Sequence, residues 1–525
     1  MIKINKLGKL ASFSAVLFVL TPCITSCGDS NDTVLRIYNW EDYIYLNSPD
    51  DGYDEPDFID QFETWYEETY HKNITVIYDT FDTNESMLSQ IQTGKVSYDL
   101  ICPSDYTIQR MIQEDLLIPF DDNGTPYYDM YASSYLLGKL DKIKITKYDE
   151  NGDAFIDESL NVNDYARGYM WGTLGILYNP ENGVVDPDEM REDLMSWNCL
   201  WDSKYKNKVS IKDSLRDTYA AGILRAFDKE LTDLKNNKES LGLEAYNEEV
   251  TKLFNRSDDE AVNKVLDALL ELKENIFGFE VDSGKQDIQT GKIWLNLAWS
   301  GDATYAMDQA EENDDPIYLE YSIPDTGANI WFDGWVMPKG ANKELAQIFV
   351  DYISNPINAV KNVDYTGYSS FIEGQEIFDL IASWYDPRIN EDEEFDPSIE
   401  VEDDWIKKDL SYFFESVENP ILYVEPDQKN RQLDTLYPNE DQLDYLAVMD
   451  DFPIDRRAQM LNMWEELKST PLPTYVYIIL AVAVVLLVGL IVGVLIKNRI
   501  VRHNRITRRK LRQETKKKAA QQLNN

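Results

Sequence analysis

An uncharged apolar run near the carboxyl end constrains this chain more than any other feature. Residues 475–496 read YVYIILAVAVVLLVGLIVGVLI. At about 1.5 Å per residue, a helix of this length spans roughly 33 Å, enough to cross a hydrocarbon core of about 30 Å. Pro471 and Pro473 precede the run, and six Lys or Arg residues follow it in 497–509. Because a buried core helix seldom has a basic flank on one side only, the run predicts one C-terminal transmembrane helix.

The charges on either side of this run predict its orientation. The basic segment 497–525 holds eleven Lys or Arg residues and the single acid Glu514. By the positive-inside rule, this segment is predicted to be a cytoplasmic tail and the rest of the chain to lie outside the cell membrane. The whole chain carries a net charge of -45, so the outer body is strongly acidic. Such a body repels nucleic acid and attracts cations, although an acidic surface can also serve solubility alone.

The amino terminus has the pattern of a secretory signal. The charged stretch MIKINKLGKL is followed by the short apolar run ASFSAVLFVL. The sequence Ile24-Thr25-Ser26-Cys27 then resembles a bacterial lipobox, with small residues before a cysteine. Residues 1–27 are therefore predicted to be a lipoprotein signal peptide, with Cys27 as the lipidated residue. Ordinary signal cleavage and an uncleaved anchor are the alternatives.

Few residues of this chain suit catalysis or metal binding. It contains only two histidines, His71 and His503, and four cysteines without metal-ligand spacing. A catalytic triad is therefore excluded from the body, and no phosphate-binding GxxxxGK[ST] loop occurs. We expect no enzyme activity, no metal and no cofactor.

Strands and helices alternate from Val34 onward, as in an α/β domain with mostly parallel strands. Strands are predicted over 34–40, 73–81 and 98–106, and helices over 57–70 and 84–95, the last with Asn84 as its N-cap. A further helix is predicted from Asp217. Ligands of open α/β sheets bind beyond the carboxyl ends of strands, so the site is expected there. The acidic segment 390–404 is predicted to be a surface loop, because so much like charge cannot be packed.

Five sequence blocks carry a resemblance to a known family. They are YNWEDYI (38–44), YDTFDTNESMLSQIQTGKVSYDLICPSDY (78–106), GYMWGTLGILYN (168–179), LAWSGDA (297–303) and IWFDGWVMP (330–338). In this order they resemble the bacterial spermidine/putrescine-binding proteins of ABC transporters. The resemblance implies an α/β, two-lobed periplasmic-binding-protein fold with a hinge. Lobe 1 would comprise 34–169 and 335–390, and lobe 2 would comprise 170–334 and 391–468.

The resemblance also implies the residues of a ligand site. The family's ligand-contacting positions fall on Trp40, Tyr43, Ser104, Tyr106, Trp299, Trp331, Asp333 and Tyr368. The family places carboxylates after a strand of the second lobe, where Asp213 and Asp217 are the candidates here. The register is open by one residue, because Ser214 can occupy a position that is acidic elsewhere.

These residue types suit a polyamine, which is a methylene chain bearing ammonium groups. Carboxylates pair the charges, and aromatic faces add apolar contact and cation-π attraction of about 0.5 to 2 kcal/mol per ring. The resemblance therefore implies a binding protein that captures spermidine or putrescine for ABC permease subunits with a separate ATPase. Alternatives are a binding protein for another solute such as a sugar, a surface glycosidase, or an adhesive surface protein.

Overall fold

The computed structural model describes part of the chain. The described residues are 33–46, 55–94, 96–149, 151, 153–313, 315–389 and 395–469, with single helical positions at 482, 485–490, 492, 494, 497 and 512. The predicted signal peptide and its Cys27 lie outside these residues, as do most of 475–496 and of the basic tail 497–525. Within the described residues, no helix is both long enough and apolar enough to cross a membrane.

The chain divides into two units, residues 1–453 and residues 454–525. In the described part of the first unit the strands are β1 (Thr33–Trp40), β2 (Ile74–Phe81), β3 (Leu100–Ile101), β4 (Leu117–Ile118), β5 (Thr146–Tyr148), β6 (Ala154–Ile156), β7 (Ala166–Tyr178), β8 (Val209–Lys212), β9 (Gly278–Glu280), β10 (Leu295–Trp299), β11 (Glu320–Ser322), β12 (Ala328–Pro338), β13 (Ser369–Ser370), β14 (Ile406–Asp409), β15 (Ile421–Val424) and β16 (Leu446–Ala447).

The helices of the first unit lie between these strands. They are α1 (Phe58–Tyr70), α2 (Asn84–Gln92), α3 (Asp105–Gln113), α4 (Pro126–Tyr131), α5 (Ser134–Leu140), α6 (Val162–Tyr165), α7 (Pro187–Asp193), α8 (Leu215–Ala226), α9 (Asp228–Asn236), α10 (Lys238–Leu241), α11 (Leu243–Phe254), α12 (Asp259–Lys273), α13 (Gly284–Gln289), α14 (Ser300–Glu311), α15 (Lys343–Ile353), α16 (Pro356–Thr366), α17 (Gln375–Tyr385), α18 (Gln432–Leu436) and α19 (Glu440–Leu443). The second unit contains α20 (Ile454–Lys468).

The main sheet has two parallel halves joined by two long antiparallel strands. Its strand order is β2-β1-β3-β12-β7-β10-β8-β9. Strand β1 pairs in parallel with β2 and β3, and β8 pairs in parallel with β9 and β10. Between these halves, β7 and β12 run antiparallel to each other. All residues of β7 and β12 are buried. Neither strand therefore shows the alternation of apolar and polar residues that marks an antiparallel strand with one exposed face. The antiparallel centre was therefore not predicted.

The pairing of β7 with β12 contains a β-bulge. Asp333 lies opposite Met170, but the next residue, Gly334, lies opposite Gly168. Tyr169 therefore has no partner residue on β12. A bulge of this kind bends the strand and redirects neighbouring side chains.

The core of the first parallel half explains how β1 is held. Leu35 and Ile37 of β1 are fully buried, and they belong to the same apolar cluster as Phe58 and Phe62 of α1. The side chain of Asp57 caps α1 by accepting a hydrogen bond from the Asp60 backbone N–H at 2.8 Å. The predicted strand and helix are confirmed here, and the carboxyl end of β1 is fixed in position.

Two predicted helix starts were wrong by one or two residues. Thr83, not Asn84, is the N-cap of α2, and its hydroxyl accepts from the Ser86 backbone N–H at 3.2 Å. Helix α8 begins at Leu215 after the N-cap Ser214, not at Asp217. Asn84 and Asp217 therefore do not cap these helices, and their side chains can form other contacts.

The predicted acidic loop is partly described. Residues 390–394 lie outside the described part, and 395–404 contain no helix and no extended strand, with almost every side chain exposed. The described residues, 395–404, therefore agree with a surface loop.

Candidate ligand-binding site

The predicted site residues of the first half lie where β1 and β3 end. Trp40 is the last residue of β1, and Ser104 is the N-cap of α3, three residues after β3. Ser104 pairs with Asp333 in an isolated antiparallel β-bridge. The strand ends chosen from the sequence are thus brought against the middle of β12.

Asp333 lies at the centre of the site. One of its carboxylate oxygens, Oδ2, accepts a hydrogen bond of 2.9 Å from the Tyr43 hydroxyl. The other, Oδ1, is buried and has no hydrogen-bond partner among the described residues. Burial raises the pKa of Asp333 to about 6, although the nearby hydroxyls of Ser104 and Tyr43 oppose the rise. A buried carboxylate oxygen without a donor is costly, so this atom is suited to receive a donor or a cation from outside the chain.

Aromatic rings surround this carboxylate. The Tyr43 and Tyr368 rings lie edge to face with centroids 5.4 Å apart, and Tyr368 contacts Trp331 with centroids 5.8 Å apart. The indole N–H groups of Trp40 and Trp331 are also buried without a hydrogen-bond partner in the part of the chain that is described. The aromatic residues predicted to contact the ligand therefore lie around Asp333. The indole N–H groups of Trp40 and Trp331 can still donate hydrogen bonds to a ligand.

Asn84 organises the polar side of the site and was missed as a site residue. Its Nδ2 donates to the Ser104 hydroxyl at 3.0 Å and to the Tyr106 hydroxyl at 2.9 Å. Its Oδ1 accepts from the Ser104 backbone N–H at 3.2 Å. Asn84 was predicted to be a helix cap, because asparagine at a helix start is usually a cap. The residue instead fixes Ser104 and Tyr106 relative to each other.

The structure distinguishes the two candidate carboxylates after β8. Asp217, on α8, is 8% exposed and accepts a hydrogen bond of 3.3 Å from the Trp299 indole N–H. Desolvation raises the pKa of Asp217, against the lowering effect of Ser214 and Trp299. Asp213 has an exposed side chain, and its backbone N–H donates to the carbonyl of Glu280 at 2.7 Å. The buried carboxylate beside an aromatic ring is therefore Asp217.

A buried lysine beneath Trp299 was not expected from the sequence. Lys212 is 1% exposed, and its Nζ lies 3.0 Å from Asp302 Oδ2 and 3.2 Å from Glu280 Oε1. The same ammonium lies 4.2 Å from the centroid of the Trp299 ring. Asp302 in turn accepts a hydrogen bond of 2.8 Å from the Tyr368 hydroxyl. Lysine is almost never fully buried unless it is paired, so the sequence alone held no signal for this role.

Two glycines allow the aromatic rings to lie this close. A Cβ at Gly301 would lie 2.4 Å from the Tyr368 ring, and a Cβ at Gly172 would lie 2.6 Å from the Trp331 ring. Any larger residue at either position would displace a predicted ligand contact. Glycine is therefore required by space and not by backbone conformation.

Glu85 is a further carboxylate that the sequence did not single out for the site. It keeps solvent-accessible surface, while desolvation by the surrounding protein and the negative charge of Asp217 raise its pKa. Asp217 also raises the pKa of Asp333. Asp217 is therefore close enough to affect both Glu85 and Asp333. No group of three or more metal-ligating side chains occurs among the described residues.

Known proteins with similar sequences are periplasmic binding proteins. The putrescine-binding periplasmic protein PotF of Escherichia coli is 27% identical over 350 residues, which cover 64% of this chain and 77% of PotF. The putrescine-binding periplasmic protein SpuD of Pseudomonas aeruginosa is 28% identical over 345 residues, covering 62% of this chain and 75% of SpuD.

A solved structure supports the fold. The spermidine/putrescine ABC transporter substrate-binding protein PotD of Streptococcus pneumoniae is 24% identical and has a TM-score of 0.52, covering 83% of this chain and 98% of PotD. This likeness confirms the predicted two-lobed binding-protein fold.

Residues 58–376 match the family described as bacterial extracellular solute-binding protein. This family consists of binding proteins and not of enzymes, so the prediction of a non-catalytic protein is confirmed. The match also confirms the relationship that the five sequence blocks indicated. The chain is therefore a member of the bacterial extracellular solute-binding protein family.

Proposed function

We propose that this protein binds polyamines of the spermidine/putrescine class and delivers them to an ABC importer. The observation that carries the proposal is the buried Asp333 carboxylate, which has an unpartnered oxygen and lies among Tyr43, Trp331 and Tyr368. An ammonium group satisfies such an oxygen, and the rings provide apolar surface for methylene groups. Relatives named for putrescine or spermidine binding support the same ligand class.

The hydrogen bonds that the site carboxylates accept favour a cation over a neutral ligand. Asp333 accepts from Tyr43, and Asp217 accepts from Trp299, and both donors are uncharged. Burial raises the pKa of both acids, so ionising either one in the ligand-free protein costs free energy. A ligand carrying two or more ammonium groups would relieve this cost at both acids. A sugar hydroxyl would supply hydrogen bonds but no charge, so sugar binding is not favoured. Membership of a solute-binding family does not favour a glycosidase or an adhesin either.

Capture would proceed by closure of two lobes around the polyamine. The proposed lobe 1 is 34–169 with 335–390, and the proposed lobe 2 is 170–334 with 391–468. Strands β7 and β12 pass between the two parallel halves of the sheet and would contain the hinge. The chain lacks a phosphate-binding loop, so separate permease and ATPase subunits would move the ligand.

Two membrane attachments are part of the proposal. Cys27 would carry a lipid, and residues 475–496 would form a transmembrane helix that leaves the basic tail 497–525 in the cytoplasm. The described residues in this run are helical, and Leu486, Leu487 and Leu490 are 61 to 68% exposed although they are apolar. Exposed leucines on a helix suit a lipid environment. The ligand-binding body would then lie outside the cell membrane.

Calorimetry on the full-length chain in detergent micelles tests the polyamine proposal. We expect saturable binding of putrescine or spermidine, weaker binding at high salt, and no heat with a neutral disaccharide. Binding of the disaccharide without polyamine binding would contradict the proposal. So would polyamine binding of unchanged affinity in Asp333→Asn, because the site would then lie elsewhere.

A further inference from the structure

Lys212 places a permanent ammonium group inside the candidate site. Its Nζ contacts Asp302 at 3.0 Å and Glu280 at 3.2 Å, and it donates to the Val281 carbonyl at 3.1 Å. The side chain is 1% exposed. It is therefore held by two hydrogen bonds, to Asp302 and the Val281 carbonyl, and by an ion pair with Glu280. Turning outward would separate this ammonium from both carboxylates and leave Asp302 with Lys285, whose Nζ lies 3.6 Å from Asp302 Oδ1.

This ammonium has the surroundings that a ligand ammonium would need. A bound polyamine nitrogen requires a carboxylate for its charge and an aromatic face beside it. Lys212 already occupies the carboxylate of Asp302 and lies 4.2 Å from the Trp299 ring. The carboxylates of Asp333 and Asp217, in contrast, accept hydrogen bonds from Tyr43 and Trp299, which carry no charge.

Asp302 connects this ammonium to the rest of the site. Its Oδ1 accepts from the Tyr368 hydroxyl, and the Tyr368 ring contacts both Tyr43 and Trp331. Asp302 therefore faces the aromatic walls on one side and Lys212 on the other. A ligand that extended past Tyr368 would meet a carboxylate that is already neutralised.

We propose that Lys212 is a specificity-determining residue: its ammonium closes the site at Trp299 and restricts the ligand to a short diamine, excluding an additional ammonium at Asp302. This inference rests on the proposed polyamine function and deepens it. The lysine remains charged, because Asp302 and Glu280 raise its pKa although burial opposes its charge. The pKa of Asp302 is lowered, because Lys212 and Lys285 outweigh the effect of burial.

Two double variants distinguish the effect of the Lys212 charge on ligand choice from the effect of the space that its side chain fills. Lys212→Met with Glu280→Gln removes one buried charge of each sign. Lys285 still lies 3.6 Å from Asp302 Oδ1, but Asp302 Oδ2 loses its ammonium partner and can receive that of a ligand. Lys212→Met with Asp302→Asn opens the same space but removes the carboxylate. Lys208→Met is the matched control, since Lys208 lies 5.0 Å from the Trp294 ring and donates to the backbone carbonyls of Gly291 and Lys292.

Dissociation constants for putrescine and spermidine, measured on the full-length variants, decide the matter. In wild type we expect putrescine to bind at least tenfold more tightly than spermidine. In the Lys212→Met/Glu280→Gln variant we expect this preference to fall at least tenfold. The Lys212→Met/Asp302→Asn and Lys208→Met variants should keep the wild-type preference within threefold.

Several outcomes would overturn the inference. An unchanged preference in the Glu280→Gln double variant would show that Lys212 does not set ligand length. An equal change in the Asp302→Asn double variant would assign the effect to added space and not to charge. If neither variant folds, the two dissociation constants of the wild-type protein test the inference. Spermidine binding as tight as putrescine binding would contradict it. Failure of wild type to bind either compound would instead refute the proposed polyamine function.

Discussion

The Tyr43 hydroxyl donates a 2.9 Å hydrogen bond to one oxygen of the Asp333 carboxylate, while the second oxygen of that carboxylate stays buried without a partner in the described chain. Neutral hydroxyls such as those of Tyr43 and Ser104 cannot fully compensate a buried negative charge. Asp333 is therefore poorly satisfied in the protein alone. A cation bound from outside the chain would relieve this imbalance.

Asp333→Asn should weaken ligand binding and stabilise the ligand-free protein. The pKa of Asp333 is raised from 3.8 to about 6, so folding is favoured below pH 4 and this contribution is lost as pH rises through 6. At pH 7 the ionised group then costs about 2 to 3 kcal/mol. We expect the variant to be more stable at pH 7 by up to this amount, with no difference near pH 4, in urea unfolding without ligand. Asp213→Asn, at an exposed position, is the control and should change neither stability nor binding.

Ligand affinity should fall as the pH drops through about 6. A protonated Asp333 cannot pair with an ammonium, and the acid is half protonated near its raised pKa. Well below pH 6, the dissociation constant should rise by about tenfold per pH unit. Calorimetry between pH 4 and pH 8 measures this slope. An equally steep slope in Asp333→Asn would assign the proton to another group.

Asp217 and Asp213 should differ sharply in their effect on binding. Asp217 is buried beside Trp299, whereas the Asp213 side chain is exposed. We expect Asp217→Asn to weaken polyamine binding at least tenfold and Asp213→Asn to change it less than threefold. The reverse order in a titration would show that the ligand contacts Asp213.

Gly301→Ala should disturb Tyr368 and weaken binding. The added Cβ would lie 2.4 Å from the Tyr368 ring, so the ring must move from its hydrogen bond with Asp302. We expect a lower melting temperature and at least a tenfold loss of affinity. Gly138→Ala is the matched control, because Gly138 lies in α5 with nothing within 4 Å of an added Cβ. That change should leave binding intact and stabilise the helix by up to about 1 kcal/mol.

The two proposed attachments can be separated in cells. Labelling with a palmitate analogue should disappear in Cys27→Ala and persist in Cys23→Ala. Deletion of 470–525 should leave the protein on the membrane through its lipid alone, and the deletion combined with Cys27→Ala should release it. Release by the single deletion would contradict lipidation at Cys27.

Much of the fold was predictable because its signals are local. Strand β1 and helix α1 follow from short-range apolar patterns, and the structure confirms both. The antiparallel pairing of β7 and β12 was not predictable, because both strands are buried at every position and have no alternation. Pairing of such strands depends on residues far apart in the chain.

The site was predictable only where residues could be matched to the family's sequence blocks. Asp333 and Tyr43 were chosen in this way, and the structure places them in contact. Lys212 and Asp302 were missed, since their importance lies in a contact between residues 90 positions apart. No local pattern distinguishes a buried lysine from an exposed one.

The bulge at Tyr169 makes the position of Asp333 depend on the number of residues in a neighbouring strand. Side chains alternate between the faces of a sheet, so a strand with one residue fewer presents its earlier residues to the opposite face. Deleting Tyr169 would restore regular pairing and turn the preceding part of β7 over relative to Asp333. A transplanted site would therefore need the irregular spacing of β7 as well as the acid itself. A scaffold designed to carry this site would have to reproduce the bulge at Tyr169 as well as the Asp333 carboxylate.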